Sequence, residues 1–210
     1  MKNRRLPLFF LGAITFIIFV IFSYFVHKNL FTQLDFDTTV RLQNKIPEVF
    51  VTPFSVLSLL GSLEIVSVIL FILLAITRKL KSIFVLLFFG FFHLIELWSK
   101  GFVSHPGTPF MFHKYDLGFT FPSSYVQPGS SYPSGHLART AFIAVIFAFI
   151  IYGSKRLSKT QKQLVYYLIV MLVILMFISR IYLGEHWLSD VIGGSILGAS
   201  MGIISMAFML

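Results

Sequence analysis

Long apolar runs dominate this chain of 210 residues and leave little room for a water-soluble fold. Hydrophobic residues make up 57% of the sequence, charged residues make up only 12%, and phenylalanine alone occurs 26 times. A soluble domain usually has about a quarter of its residues charged, and a short chain must keep a large polar surface. The composition therefore excludes a soluble enzyme, a disordered chain and a coiled coil, and it indicates an integral membrane protein.

Six apolar runs are long enough to cross a membrane, since a spanning helix needs about 20 mostly apolar residues. The predicted spans are, approximately, residues 6–26, 53–77, 82–99, 136–152, 164–183 and 187–210. No small-x-small cleavage site follows the first run, so we interpret it as an uncleaved anchor rather than a signal peptide. The predicted fold class is all-α, a six-helix membrane bundle that forms a single domain over residues 1–210.

Two smaller patterns refine this prediction. Residues 34–50 mix charges with apolar side chains, which favours a short interfacial helix between the first two spans. Gly194, Gly198 and Gly202 recur every four residues in the last span. This small-xxx-small spacing predicts close packing of that helix against a neighbour.

The uneven distribution of basic residues predicts the orientation of the chain. Residues 2–5, 78–81 and 155–162 contain ten of the 17 basic residues and no acidic residue. In a six-span arrangement these three segments fall on one side, and Lys and Arg are enriched in cytoplasmic loops. Both termini are therefore predicted to be cytoplasmic. The net charge of +9 is then mainly a topology signal and does not call for a nucleic-acid partner.

Three polar clusters lie on the predicted outer side at similar depth. Lys100 closes the third span, the run Pro133-Ser134-Gly135-His136 opens the fourth, and Arg180, His186 and Asp190 bracket the turn between the last two. Polar groups at membrane depth are costly and indicate a functional site by default. The sequence thus predicts an active site at the outer face.

Two histidines and one carboxylate in these clusters have the chemistry of phosphoryl transfer. His186 and Asp190 are four residues apart and share a helix face. The carboxylate can therefore hold one imidazole nitrogen and leave the other as a nucleophile. His136 is placed to protonate a leaving oxygen.

The other members of the clusters are suited to binding an anion. Ser134 and Gly135 begin a helix, where free backbone N–H groups and the positive end of the helix dipole point at one place. Gly135 lets the anion approach the backbone closely. Lys100 and Arg180 are fixed cations that suit phosphate oxygens. A nucleophile, an acid, two cations and an amide cradle suffice for phosphoryl transfer without a metal.

The run Pro133-Ser134-Gly135-His136, followed by Ser179-Arg180-x5-His186-x3-Asp190, resembles the second and third motifs of the type 2 phosphatidic acid phosphatase (PAP2) superfamily. Lys100 resembles the lysine that opens its first motif. The resemblance implies that His186 attacks phosphorus to form a phosphohistidine, that Asp190 supports it, and that His136 protonates the leaving group. It further implies that the phosphate is held by Lys100, Ser134, Gly135 and Arg180. Water then hydrolyses the intermediate, and no metal or other cofactor is required.

The first motif departs from the family pattern, which is usually Lys-x6-Arg-Pro. Counting from Lys100, the positions of the arginine and proline are taken by Gly107 and Thr108. His105 is predicted to replace part of the missing phosphate contact, and Lys114 is another candidate.

The sequence therefore predicts a metal-independent phosphatase acting on a phosphate or diphosphate monoester of a membrane lipid. Isoprenyl diphosphates such as undecaprenyl diphosphate, phosphatidic acid and phosphatidylglycerol phosphate all fit. Two alternatives remain: a lipid phosphotransferase that uses the same site, and a lipid-phosphate transporter or binding protein without turnover. The compact architecture favours a multi-pass protein of a bacterial cytoplasmic membrane with its active site facing outward.

Overall fold

The computed structural model describes residues 5–77, 80–119, 121–122 and 130–209, and within them the chain is all-helical, as predicted. The helices are α1 (Arg5–His27), α2 (Thr32–Lys45), α3 (Val51–Leu59), α4 (Leu63–Thr77), α5 (Ile83–Phe102), α6 (Gly135–Gly153), α7 (Lys159–Tyr182) and α8 (Leu188–Met209). Short 3-10 turns occur at Glu48–Phe50, Leu80–Ser82 and Phe110–Phe112. Four residues used to predict orientation, Lys2, Arg4, Arg78 and Lys79, lie outside the described residues, as does the last residue of the sixth predicted span, Leu210.

Five of these helices, α1, α5, α6, α7 and α8, are long and apolar enough to cross a membrane. Their bounds agree with the predicted spans to within a few residues, except at the start of α7, which lies five residues earlier. The helix predicted between the first two spans forms as α2, and it buries Asp35 and Thr39.

The second predicted span, residues 53–77, is a bent pair of helices rather than one continuous helix, and taken as one span it makes the sixth among the described residues. Its two halves, Glu48–Leu59 and Leu63–Ile76, meet at 49°. At the break, the N–H groups of Leu60, Gly61 and Ser62 bond to carbonyls three residues back instead of four. The Ser62 hydroxyl then accepts the N–H of Ile65 at 3.3 Å and starts the second half.

The last helix, α8, is the centre of the bundle. It packs against α1, α5 and α6, and 15 of its 22 residues are buried, compared with three of the 23 in α1. A Cβ atom at Gly194 or Gly198 would collide with the backbone oxygen of Ser134 or Ala138, and one at Gly202 would lie 3.0 Å from Val145 Cβ. The predicted small-residue packing is confirmed, and it fixes α8 against the start of α6.

The two ends of the bundle differ in charge. At one end the rings of Phe9 and Phe208 lie 6.2 Å apart, and Leu8 lines a cavity with Tyr152, which lies just before the exposed Lys155 and Arg156 between α6 and α7. At the other end the hydroxyl groups of Ser23 and Tyr132 lie 2.8 Å apart. Tyr132 directly precedes the polar run that opens α6. The predicted site therefore lies at the opposite end from the basic connection between α6 and α7.

Candidate active site

The structure brings the three predicted motif segments together. Asp190, in the first turn of α8, accepts the backbone N–H of Ser134 at its carbonyl oxygen, 2.9 Å away. Lys100, in the last turn of α5, donates to the carbonyl of Ser131 at 3.3 Å and interacts electrostatically with Asp190. The side chains that interact electrostatically with His136 are Arg180, Arg139, His186 and Lys100. Segments far apart in the chain therefore converge on one place.

His186 and Asp190 form the centre of this cluster. His186 Nδ1 lies 3.5 Å from Asp190 Oδ2, at the outer limit of a hydrogen bond. The same carboxylate oxygen accepts the backbone N–H of Trp187 at 2.9 Å, as in a capping box, so the start of α8 fixes its position. Burial lowers the pKa of His186 from its ordinary 6.5, and Asp190 opposes this effect. The imidazole is therefore neutral at pH 7, as a nucleophile requires.

The turn that carries His186 depends on one glycine. Gly184 has φ +69°, and a Cβ atom there would collide with the backbone oxygen of Phe112. The hydroxyl of Thr108 donates to the Gly184 carbonyl, and the N–H of Lys114 donates to the carbonyl of Leu183 at 2.9 Å. The loop after α5 therefore packs directly against the turn between α7 and α8.

Lys114, one of the two candidates for the missing first-motif contact, has other neighbours. Its Nζ lies 3.8 Å from Glu48 Oε1 and 5.4 Å from the centre of the Tyr182 ring. The structure thus places this ammonium group against the start of the second span and the end of α7.

Arg180 and Ser134 leave polar atoms without a partner in the buried site. Arg180 is fully buried; its guanidinium donates to the Ser58 hydroxyl and pairs with Glu185. Arg180 Nε and the Ser134 hydroxyl have no hydrogen-bond partner within the part of the chain that the structure describes. Because buried polar groups are normally paired, these two atoms are suited to receive a ligand.

Gly135 has a different neighbour from the one expected. The side on which its Cβ would lie is filled by the carboxylate of Glu96 and the guanidinium of Arg139. These two groups are 3.6 Å apart, and Arg139 Nε also donates to the Gly61 carbonyl at 2.8 Å. The glycine thus makes room for a buried ion pair that ties α5, α6 and the broken second span together.

His105 lies between two buried carboxylates. Its Nδ1 is 2.8 Å from Asp190 Oδ1, and its Nε2 is 3.5 Å from Asp35 Oδ2. Burial by itself lowers the pKa of His105, but the two carboxylates outweigh this effect and raise it to about 9. The imidazole is therefore charged at neutral pH, and both of its nitrogens face carboxylates.

The sequence reasoning did not identify three polar neighbours of the site, Asp35, Ser58 and Glu185. Asp35 accepts both the backbone N–H of Ser189, at 2.8 Å, and its hydroxyl, at 2.7 Å. No local signal marks Asp35, because α2 carries several other polar residues. Within the described residues, no group of His, Asp and Glu is arranged to hold a metal ion.

Comparison with known proteins assigns the family. The PAP2 superfamily matches residues 78–210, which contain all three motif segments and more than half of the chain. The chain therefore belongs to the PAP2 superfamily. Phosphatidylglycerophosphatase B of Bacillus subtilis (strain 168) is 32% identical to it over 78 residues, which are 37% of this chain and 38% of that protein.

Solved structures agree with this assignment at the level of the fold. The first transmembrane PAP2 type phosphatidylglycerolphosphate phosphatase from Bacillus subtilis superposes with a TM-score of 0.76 at 20% identity, over 94% of each chain. LpxE of Aquifex aeolicus superposes with a TM-score of 0.61 at 25% identity, over 82% of this chain and 94% of that one. The described helical bundle thus has the same fold as these two proteins.

Proposed function

We propose that the chain is a metal-independent lipid phosphatase that hydrolyses a phosphate or diphosphate monoester through a phosphohistidine at His186. The observation that carries this proposal is the buried pair of His186 and Asp190, set beside the opening of α6 and the guanidinium of Arg180. A neutral imidazole held by a carboxylate, next to cations and free amides, has the parts that an in-line attack on phosphorus needs.

The reaction follows from the roles of these residues. The free nitrogen of His186 attacks phosphorus while the P–O bond to the leaving lipid alcohol or lipid phosphate breaks, and the leaving oxygen takes the proton that His136 carries when the phosphate is bound. Asp190 holds the other nitrogen of His186 and stabilises the charge that develops there. His136 then takes a proton from water as the water oxygen attacks phosphorus. The P–N bond breaks, His186 is regenerated, and inorganic phosphate leaves.

The phosphate oxygens are bound by groups whose partners are incomplete. The first-turn N–H groups of α6 have no acceptor within the helix. The Ser134 hydroxyl and Arg180 Nε, both buried, would complete their hydrogen bonds with a phosphate oxygen. Lys100 supplies a second positive charge, and Gly135 keeps the start of α6 free of a side chain.

The first substrate to test is phosphatidylglycerol phosphate, because the curated relative is a phosphatidylglycerophosphatase. The matched segment spans only 38% of that relative, so the panel also includes phosphatidic acid and an isoprenyl diphosphate. All three present a phosphate at headgroup depth on an apolar tail.

The decisive test measures phosphate release by purified protein from this panel, with and without EDTA. We expect turnover of at least one lipid in the presence of EDTA and none with His186→Gln. His113→Gln is the matched control, because His113 is an exposed histidine of the loop between α5 and α6. Full activity of His186→Gln, or strict dependence on a metal, would refute the mechanism. Transfer of labelled phosphate to an added alcohol instead of to water would identify a phosphotransferase.

We also propose that the site faces outward and both termini face the cytoplasm. The chain lacks cysteine, so single cysteines can be introduced at Met111, an exposed residue near the site, and at Lys155, at the opposite end. In intact bacterial spheroplasts, a membrane-impermeant maleimide should label Met111→Cys and spare Lys155→Cys. The reverse pattern would overturn the orientation.

A further inference from the structure

A chain of three buried side chains runs behind the proposed nucleophile. Asp35 in α2 is 2% exposed, His105 in the loop after α5 is 6% exposed, and Asp190 in α8 is not exposed at all. His105 bridges the two carboxylates, with Nδ1 at 2.8 Å from Asp190 and Nε2 at 3.5 Å from Asp35. Three elements far apart in the sequence therefore meet on one imidazole.

This arrangement leaves the two oxygens of Asp190 with different partners. Oδ1 faces His105, while Oδ2 accepts the N–H of Trp187 and faces His186. Hydrogen bonds on both oxygens restrict the rotation of the carboxylate, so Oδ2 stays directed at the nucleophile. Asp35 adds a second constraint, because it also binds the N–H and hydroxyl of Ser189, the residue before Asp190.

Electrostatics require the imidazole of His105, between the two carboxylates, to be charged. Two buried carboxylates this close to a neutral group would each pay a large desolvation cost, and an imidazolium between them offsets it. The two carboxylates raise the pKa of His105 to about 9, against the opposing effect of burial, so the imidazole between them is charged at neutral pH.

We propose that His105 and Asp35 are positioning residues that hold Asp190 in the orientation in which it supports His186. This inference rests on the proposed phosphatase function and adds two residues to its machinery. It gives His105 a role different from the direct phosphate contact predicted from the sequence, because both of its ring nitrogens face carboxylates.

The two roles for His105 predict different kinetics. A positioning residue acts on the chemical step, so its loss lowers kcat and leaves KM and inhibition by orthovanadate, a phosphate analogue, nearly unchanged. A residue that contacts the phosphate acts on binding, so its loss raises KM and weakens inhibition by vanadate. Removing the residues that orient metal-ligating histidines lowers metal affinity or activity about 10- to 100-fold, and we expect a fall in kcat within that range.

The test uses His105→Asn, whose amide nitrogen can replace Nδ1 but carries no charge and cannot reach Asp35, and Asp35→Asn, which is isosteric. The matched controls are His113→Asn in the same loop and Asp37→Asn, whose side chain instead bonds Gln33 at 2.9 Å on the same helix. We expect both test variants to lose kcat and both controls to keep it. A raised KM with unchanged kcat, or unchanged kinetics in both test variants, would overturn the proposal.

A titration separates positioning from a merely structural role. The groups that face His105 are Asp35 from α2, Asp190 from α8, and Tyr132, whose ring centre lies 6.4 Å away; Lys100 of α5 acts on Asp190. Removing one anion destabilises the imidazolium, so the basic limb of the kcat profile, near pH 9 in the wild type, should move to lower pH in Asp35→Asn. An unmoved limb would contradict the proposal.

The protonation of His105 can also be measured without turnover of a substrate. NMR of ¹⁵N-histidine-labelled protein, with the His105 signal assigned by its loss in His105→Asn, reports the protonation of that ring directly. We expect the pKa of His105 to fall in Asp35→Asn and to stay constant in Asp37→Asn. If no lipid releases phosphate, the proposed function fails, while this titration still supports or overturns the contact on which positioning depends.

Discussion

Gly198→Ala tests how closely α6 and α8 must pack for the site to form. A Cβ atom at this position would collide with the carbonyl oxygen of Ala138 and lie 2.7 Å and 2.9 Å from the carbon and Cα of the same residue. An ordinary contact is 3.4 Å or more. These neighbours are backbone atoms, so the two helices themselves must separate, by about 0.7 Å or more.

The cost follows from that separation. Overpacking of this kind costs about 1–3 kcal/mol, and replacing glycine in a helix returns about 0.5–1 kcal/mol. The net loss of up to about 2.5 kcal/mol corresponds to a fall in Tm of up to roughly 10 °C for a chain of this size. Relative to a glycine-to-alanine change that meets no neighbour, the overpacking of about 1–3 kcal/mol corresponds to roughly 2–12 °C. One turn earlier, Gly194 contacts the Ser134 carbonyl, so the shift also moves the start of α6 against Asp190. A misplacement near 1 Å can cost about 100-fold in rate.

The assay is thermal unfolding in detergent, followed by the loss of helical circular dichroism, together with kcat on the best lipid. Gly90→Ala is the matched control, because a Cβ atom at this α5 position meets no atom within 4 Å. We expect Gly90→Ala to match or slightly exceed the wild-type Tm. A Gly198→Ala protein as stable as Gly90→Ala would refute the packing argument.

Three further predictions concern the site. Gly184→Ala should lower Tm and phosphate release together, because φ +69° strains an alanine and its Cβ collides with Phe112; unchanged melting would contradict this. Arg180→Lys should lower kcat/KM about tenfold or more, because it keeps the charge but loses the planar fork that also bonds Ser58, and steady-state kinetics measures this. His105, with its pKa raised to about 9 by two carboxylates, contributes about 3 kcal/mol of stability that is fully present below pH 6.5 and lost as pH rises through 9. Denaturation measured at pH 6 and at pH 10 should show this loss of stability in the wild type and not in His105→Asn.

Features encoded locally were predictable. The spans follow from runs of apolar residues, and the packing of α8 on α6 follows from the spacing of three glycines. The convergence of Lys100, Ser134 and Asp190 followed from topology, because Lys and Arg counts alone assign these residues to one side. Residue spacing therefore predicted both the helices and the end of the bundle at which the polar groups meet.

Features that depend on contacts between distant segments were not predictable. The break falls at the pair Gly61-Ser62, which is a local signal for a kink inside a mostly apolar run. The partner of its freed carbonyl, Arg139 on another helix, has no such signal. Asp35 belongs to an ordinary amphipathic helix, and only the docking of α2 against α8 brings it to His105. Hydropathy reports whether a residue avoids water, but it does not report which buried partner the residue meets.

The bond between Asp35 and Ser189 joins residues 154 positions apart. At ordinary synthesis rates of about 5–20 residues per second, the ribosome needs roughly 8–30 s to make the intervening chain. The bond between Asp35 and Ser189 therefore forms late, once α8 has been made. A translation product that stops before α8 contains the start of α6 and His186, but it lacks Ser189 and Asp190. Assembly of the proposed site thus ends with the last helix, and we expect a chain truncated before α8 to release no phosphate.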